Sequence, residues 1–159
     1  MGAQKFKGKV VVPLLNQGGA EFKFADVLVA NAEIKTLRAT PKTVVPAPGA
    51  GKVLEFVSAV LQLKAGANVL TEATANLAFK YQNGAGVQVS QTIETTGFID
   101  QAADQVTYGL VKLDPITARS GCENQPLVLH NLGAGEFVGN AANDATLRVK
   151  VAYRVHVLG

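Results

Sequence analysis

Apolar residues recur at every second position along most of this chain. The pattern is clearest near the end, where Leu147, Val149, Val151, Tyr153, Val155 and Val157 alternate with Arg148, Lys150, Ala152, Arg154 and His156. Successive side chains of a strand point to opposite faces, so this segment reads as a strand with one apolar and one cationic face. Lys5 to Val12 alternates Lys5, Lys7 and Lys9 with Phe6, Gly8 and Val10 in the same way. Val27 to Leu37 reads as a further strand, with Pro41 ending it. Val53 to Lys64 is rich in Val and Leu at both parities, which predicts a strand buried between two layers. Leu77, Phe79 and Tyr81 alternate with Ala78 and Lys80 ahead of Asn83-Gly84, a pair that favours a tight hairpin because both residues tolerate positive φ. Val87 to Ile93, Val106 to Leu113 and Leu127 to Asn131 complete about eight strands.

Gly/Pro clusters separate these runs: Gln17-Gly18-Gly19, Pro46-Ala47-Pro48-Gly49, Lys64-Ala65-Gly66, Gly84-Ala85-Gly86 and Gly133-Ala134-Gly135. Short strands between such turns point to an all-β sandwich or barrel. Helix is confined to Gly97 to Asp104 and a turn around Pro115 to Ser120. Eight strands with two longer crossings fit a jelly-roll-like β-sandwich with long Gly/Pro-rich loops. An immunoglobulin-like sandwich is the alternative, without the Cys…Trp…Cys pattern of true immunoglobulin domains. No linker or repeat interrupts the pattern. Residues 1–159 therefore read as one domain, with 1–15 as an extended N-terminal arm or an edge strand.

Composition narrows the class. Hydrophobic residues make up 48% and charged residues 17%, against roughly 25% charged in ordinary soluble domains. So few charges favour an oligomer or docked subunit over a free monomer. The net charge is +3, there is no Trp, and the basic residues are scattered except at the two ends. A nucleic-acid binder shows basic clusters interleaved with aromatics, so none is expected as a partner. Cys122 is the only cysteine, which rules out a disulfide within the chain and a Cys-rich zinc site, and suits a reducing compartment. There is no Asn-x-Ser/Thr sequon. The run Val10 to Leu15 is broken by Pro13 and too short for a signal core, and nothing approaches the ~20 residues that span a bilayer. Synthesis in a cytoplasm, no cleavable export signal and no membrane contact are the expectation.

Catalytic motifs fall apart on inspection. Gly49-Ala50-Gly51-Lys52 lacks the first glycine of a phosphate loop (Pro46) and its hydroxyl residue (Val53), so a turn into a strand is the better reading. Gly133-Ala134-Gly135 follows a strand, but the third glycine of a dinucleotide fingerprint would fall at Val138, and no crossover helix follows. Cys122, His130 and His156 match no metal-ligand spacing and no nucleophile–base pattern. Glu55, Glu72, Glu94, Asp100, Asp104 and Asp114 are scattered singly, whereas a glycosidase needs two carboxylates roughly 5–10 Å apart. Asp114-Pro115 opens a turn. No cofactor, metal or enzymatic activity is expected. The candidate contact residues for a partner are the cations of the first and last strands: Lys5, Lys7, Lys9, Arg148, Lys150 and Arg154. They read either as a solvated sheet face that deters edge aggregation or as a docking surface for an acidic protein.

Two stretches carry a resemblance. Ile34-Lys35-Thr36-Leu37-Arg38-Ala39-Thr40-Pro41-Lys42-Thr43-Val44-Val45-Pro46-Ala47-Pro48-Gly49, running into Val53-Leu54-Glu55-Phe56-Val57, resembles capsid decoration (cement) proteins of tailed bacteriophages. So does Gln125-Pro126-Leu127-Val128-Leu129-His130-Asn131, continuing through Gly139-Asn140-Ala141-Ala142-Asn143 into Leu147-Arg148-Val149-Lys150-Val151. The resemblance lies in texture over most of the chain after Val27, and no motif marks a binding residue. It implies a jelly-roll homotrimer on the outer surface of a virion, made in a bacterial cytoplasm, that clamps major capsid protein subunits. Extended basic residues at the N-terminus would then lie across a capsid subunit. The rival is a glycan- or receptor-binding module of a phage fibre or surface lectin. A sugar site wants an aromatic platform, for which the chain offers three Tyr and no Trp, with Tyr153 expected to be buried. A hydrolase on a β-scaffold would need convergent carboxylates.

Overall fold

A computed structural model describes residues 20–71, 76–113 and 117–159. The strand expected over Lys5 to Val12, the 1–15 arm, and the carboxylates Glu72 and Asp114 lie outside the described residues.

The chain enters as β1 (Lys23–Val29), with Ala25, Val27 and Val29 turned inward and Phe24, Asp26 and Leu28 outward. The strand expected from Val27 to Leu37 stops at Val29. There the Glu33 carboxylate accepts the Ala30 N–H at 2.9 Å and opens a single helical turn, α1 (Asn31–Ile34). The apolar spacing changes from two to three at this point. Ile34 and Leu37 fall on one side of the turn and are both fully buried. After Pro41 comes β2 (Lys42–Val45), a strand hidden in the sequence by its flanking prolines. Gly49 (φ 99°) and Gly51 (φ 70°) then make the left-handed turn into β3 (Lys52–Lys64), as expected of that glycine cluster.

β3 is not sandwiched between two layers. Its inward residues are Leu54 and Phe56 before the middle, then Ala59, Leu61 and Leu63 after it. The parity switches because Ser58 pairs with Ala152 and Phe56 with Tyr153, leaving Val57 as an extra residue. Such a bulge makes one strand change which residues face the core while its partner keeps strict alternation. The apolar residues at both parities in the sequence record this switch.

Next come β4 (Leu70–Thr71), β5 (Asn76–Tyr81), β6 (Ile93–Glu94), β7 (Gln105–Leu110), a 3₁₀ turn (Arg119–Gly121), β8 (Leu127–Asn131), β9 (Val138–Gly139) and β10 (Thr146–Val157). The front sheet runs β1-β10-β3-β7 and the back sheet β2-β8-β5-β6, all neighbours antiparallel, with β4 and β9 forming a separate ribbon. The fold is an all-β sandwich. Phe56 of the front stacks on Phe79 of the back with ring centroids 4.9 Å apart. The Tyr81 hydroxyl donates across the core to the Leu54 carbonyl, and burial pushes its pKa up to about 12. Gly109 faces Phe79, Ile93 and Ala59, whose atoms lie 3.0–3.3 Å from where a Cβ would stand.

The Asn83-Gly84 turn is wider than a two-residue hairpin. Tyr81 and Val87 close it (N–H to O 2.9 Å), and the five residues between them curl over the back sheet. Val87 to Ile93 forms no continuous strand, because its hydrogen bonds are divided between the two sheets. Val89 N–H bonds to the Phe79 carbonyl, whereas Gln91 N–H bonds to the Leu110 carbonyl. Gly97 to Asp104 forms one turn rather than a helix: Gly97 has φ 78° and its N–H is held by the Asp100 carboxylate at 2.8 Å. At the far end Asn140, at φ 40°, knots three segments. Its side-chain oxygen accepts from Asn31, Asp144 and Ala145, and its side-chain nitrogen donates to the Asn68 carbonyl and Asp144.

Deleting Val57 removes the bulge and forces Leu54 and Phe56 outward or breaks their pairing with β10. Two buried side chains at about 1.5–3 kcal/mol each put the expected loss above roughly 3 kcal/mol in urea unfolding. Val57→Ala, which keeps the bulge, should cost less than about 1.5 kcal/mol.

Candidate interaction surface

The two outer faces differ in kind. On the back sheet, the outward Ala78, Val128 and His130 are 0%, 2% and 8% exposed. The Gln82–Gly86 loop closes over His130 so tightly that a Cβ on Gly84 would lie 2.6 Å from its Nε2. Lys80 ties the loop down by donating to the Gly84 carbonyl. Burial, and then the Lys80 charge, hold the His130 pKa below its ordinary 6.5.

The front face is open. Register places its outward residues in rows across the four strands: Phe24–Ala152–Ser58–Leu110, then Asp26–Lys150–Val60–Tyr108, then Leu28–Arg148–Gln62–Val106. The two margins are apolar and the middle is polar. Phe24 is 78% exposed and Tyr108 65%, and Leu28, Val106 and Leu110 are all more than half exposed. Phe22 and Phe24 on the β1 margin present roughly 260 Å² of aromatic surface at ~200 Å² per ring side chain, and Tyr108 on the β7 margin about half that. A trough of about 390 Å³ crosses the third row, between Leu28 at one margin and Val106 at the other.

Of the six cations expected to meet a partner, Lys5, Lys7 and Lys9 lie outside the described residues. Arg148, Lys150 and Arg154 share the front face, as expected from their alternation. Their charges are not equally free. Arg148 holds Asp26 through two bonds of 2.8 and 2.9 Å, and this hydrogen bonding lowers the Asp26 pKa below the usual carboxylate range. Arg154 reaches Glu55 at 3.5 Å and lies 4.0 Å over the Phe22 ring. His156 Nε2 sits 2.7 Å from the same Glu55 oxygen. Lys150 has no ion-pair partner among the described residues. The cationic stripe is thus largely neutralised by Asp26 and Glu55, and its net pull on an acidic surface rests on Lys150. The last strand's alternation is sharp only as far as Val151. Beyond the bulge Tyr153 and Val155 are half-buried, so Tyr153 is less enclosed than expected.

The fold keeps the titratable groups weighed in the sequence apart. His130 and His156 lie on opposite outer faces, and Cys122 follows the 3₁₀ turn. Among the described residues no three His, Cys, Asp or Glu side chains converge as metal ligands. Asp104 pairs with Lys64 at 3.0 Å, Glu123 with Arg119 at 2.6 Å, and Asp100 caps its own turn. No helix among the described residues is long and apolar enough to cross a membrane. Sequence reasoning missed the apolar margins, Phe24, Leu28, Val106, Tyr108 and Leu110. A signal existed on β7, where Thr107 and Gly109 occupy the inward parity and Val106, Tyr108 and Leu110 the outward.

No protein-family model matches this chain, and no curated protein matches it.

Acid should destabilise the fold in two windows. The unfolded chain binds a proton on His130 more readily than the folded one, so that contribution is intact above pH 6.5 and shrinks as pH falls. It levels off below the folded value. The hydrogen-bonded Asp26, Glu33, Asp104, Glu123 and Asp144 all have depressed pKa values, and their contributions go from about 4.5 downward. His130→Gln should remove the fall in urea midpoint that begins as pH drops through 6.5 and leave the carboxylate limb unchanged.

Proposed function

We propose that this chain is a non-enzymatic virion structural protein that binds the outer capsid surface of a tailed phage as an oligomer and stabilises the head. The observation that carries this reading is the contrast between the two faces. One sheet buries Ala78, Val128 and His130 on its outer side, with the Gln82–Gly86 loop drawn over His130, while the other leaves two apolar margins and a mostly self-neutralised polar centre in solvent. A surface of that kind gains free energy by contact with protein, and its paired charges lower the cost of burying the centre. The strand order supports a jelly-roll arrangement. Counting the eight strands of the two sheets, β1-β10-β3-β7 face β2-β8-β5-β6, and the chain passes from one sheet to the other at nearly every connection. The low charged content and the resemblance in the stretches around Ile34–Val57 and Gln125–Val151 point the same way. Several copies held on one shell would add avidity without a tight single contact.

The test is binding of the purified protein to isolated heads of the phage that carries its coding sequence. Saturable co-sedimentation at a fixed number of copies per head, with a higher temperature of DNA release, is the expected outcome. Phe24→Lys combined with Leu28→Lys should weaken binding at least tenfold. Failure to co-sediment, together with specific retention on a glycan array, would replace this reading with the glycan-binding one.

A further inference from the structure

The Asn83-Gly84 pair that turns the chain is also a reactive dipeptide. Asn83 is the one asparagine of this chain followed by glycine. A glycine has no Cβ to shield its amide nitrogen, so that nitrogen can approach the side-chain carbon of the residue before it. Both partners are available in the fold. Asn83 is exposed, and the Gly84 N–H meets no acceptor among the described residues. The Asn83 side-chain oxygen accepts the Ala85 N–H at 2.8 Å, which closes a hydrogen-bonded ring containing both Asn83 Cγ and the Gly84 nitrogen. The Gly86 N–H bonds to the Asn83 carbonyl at 3.1 Å and holds the turn around them.

Attack of the Gly84 nitrogen on Asn83 Cγ, with its proton lost to solvent base, forms a C–N bond and puts negative charge on the side-chain oxygen. That oxygen already faces the Ala85 N–H, and the Lys80 ammonium is bonded to the Gly84 carbonyl. Both donors favour the charge that builds in the turn. The bond from Cγ to the side-chain nitrogen then breaks, and that nitrogen takes a proton from water and leaves as ammonia. Water opens the resulting cyclic imide in either of two ways. Attack at Cγ gives an aspartate with the main chain unchanged. Attack at the main-chain carbonyl carbon gives an isoaspartate, whose main chain runs through the side chain and is longer by one methylene.

The loop receives these products differently. An aspartate keeps the oxygen that accepts the Ala85 N–H. The isoaspartyl link needs length that the loop does not have. A Cβ on Gly84 would lie 2.6 Å from His130 Nε2, and one on Gly86 1.7 Å from the Tyr81 carbonyl oxygen. The flanks are fixed as well, by Gln82 N–H on the Pro126 carbonyl at 3.0 Å and Tyr81 N–H on the Val87 carbonyl at 2.9 Å. Added length can go only outward, which draws Gly84 off the imidazole and its carbonyl away from Lys80. A larger residue at 84 would have to displace the buried His130, so the turn depends on the same glycine that makes it reactive.

We propose that Asn83 is a site of spontaneous deamidation in the folded protein, and that its isoaspartyl product lifts the Gln82–Gly86 loop off His130.

Ageing the purified protein in mildly alkaline buffer tests this. Peptide mapping should find deamidation at Asn83 at least about tenfold faster than at Asn124, Asn140 or Asn143, a barrier difference of about 1.4 kcal/mol. The rate should rise with pH, because the attacking nitrogen must lose its proton. In the isoaspartyl fraction the Gly86 amide should exchange faster with solvent, and the His130 ring signals should titrate closer to 6.5 than in fresh protein. Asn83→Ser keeps an acceptor for the Ala85 N–H and cannot cyclise, so it should stay unmodified through the same incubation. Asn83→Asp carries the new charge without the added length and should keep the slow Gly86 exchange of fresh protein. An Asn83 that survives in the folded protein while the urea-unfolded chain converts would show that the turn protects it, and would overturn the proposal. An isoaspartyl fraction with unchanged Gly86 exchange and unchanged His130 titration would defeat the loop displacement. None of these readouts depends on whether the chain binds a phage head.

Discussion

The pairing of β3 with β10 carries this molecule, and the slip at Val57 is what makes that pairing possible. β10 keeps its apolar residues at one parity from Leu147 to Val157, and Leu147, Val149 and Val151 are fully buried on that face. β3 could follow that alternation only by turning either Leu54 and Phe56 or Ala59, Leu61 and Leu63 toward solvent. One extra residue keeps all five inside. Much of the core is anchored to those five positions. Phe56 provides the ring on which Phe79 stacks, Leu54 the carbonyl that receives the Tyr81 hydroxyl, and Ala59 the small surface that lets Gly109 approach. Without the bulge, the two sheets would share a core at one end only.

The polar parts of the structure are arranged with similar economy. Asn140 uses both ends of its amide to hold α1, the 65–68 segment and the start of β10 together, where no regular ladder reaches. Ser90 does comparable work at the opposite margin: its hydroxyl accepts the Phe79 N–H while its neighbours bond to β7 and its continuation. On the front face, Asp26 and Glu55 are spent on Arg148, Arg154 and His156, which leaves a surface that is polar in composition but weak in field. Recognition there falls to shape, apolar area and main-chain groups, with long-range attraction contributing little.

Regular strands were legible in the sequence, and the irregular ones were not. Leu127–Asn131 matches its expected bounds, and Thr146–Val157 and Lys52–Lys64 lie within a residue of theirs, because alternation and flanking turns both mark them. Lys42–Val45 escaped notice because prolines on both sides read as a loop. Val27 to Leu37 was misread because a period of two hands over to a period of three at Ala30 without a glycine or proline to signal it. Gly84 and Gly86 looked like simple turn residues. Their role depends on His130 and on the Tyr81 carbonyl, which are near them only in three dimensions. The candidate surface was half visible. Alternation put Arg148, Lys150 and Arg154 on one face, but their neutralisation by Asp26 and Glu55 is a cross-strand fact that no local window contains.

β10 lies between β1 and β3, two strands that do not touch one another, and it pairs with both along nearly their whole length. The front sheet therefore has no centre until residues 146–157 have left the ribosome. A nascent chain can pair β3 with β7, but β1 has nothing to lie against, and the sheet cannot close early at low cost in loop entropy. Completion of the front sheet must wait until β10 has emerged. During that wait the apolar margins and open strand edges are most exposed to other nascent chains of the same kind, so the rate of synthesis and the supply of chaperones should govern the yield of soluble protein.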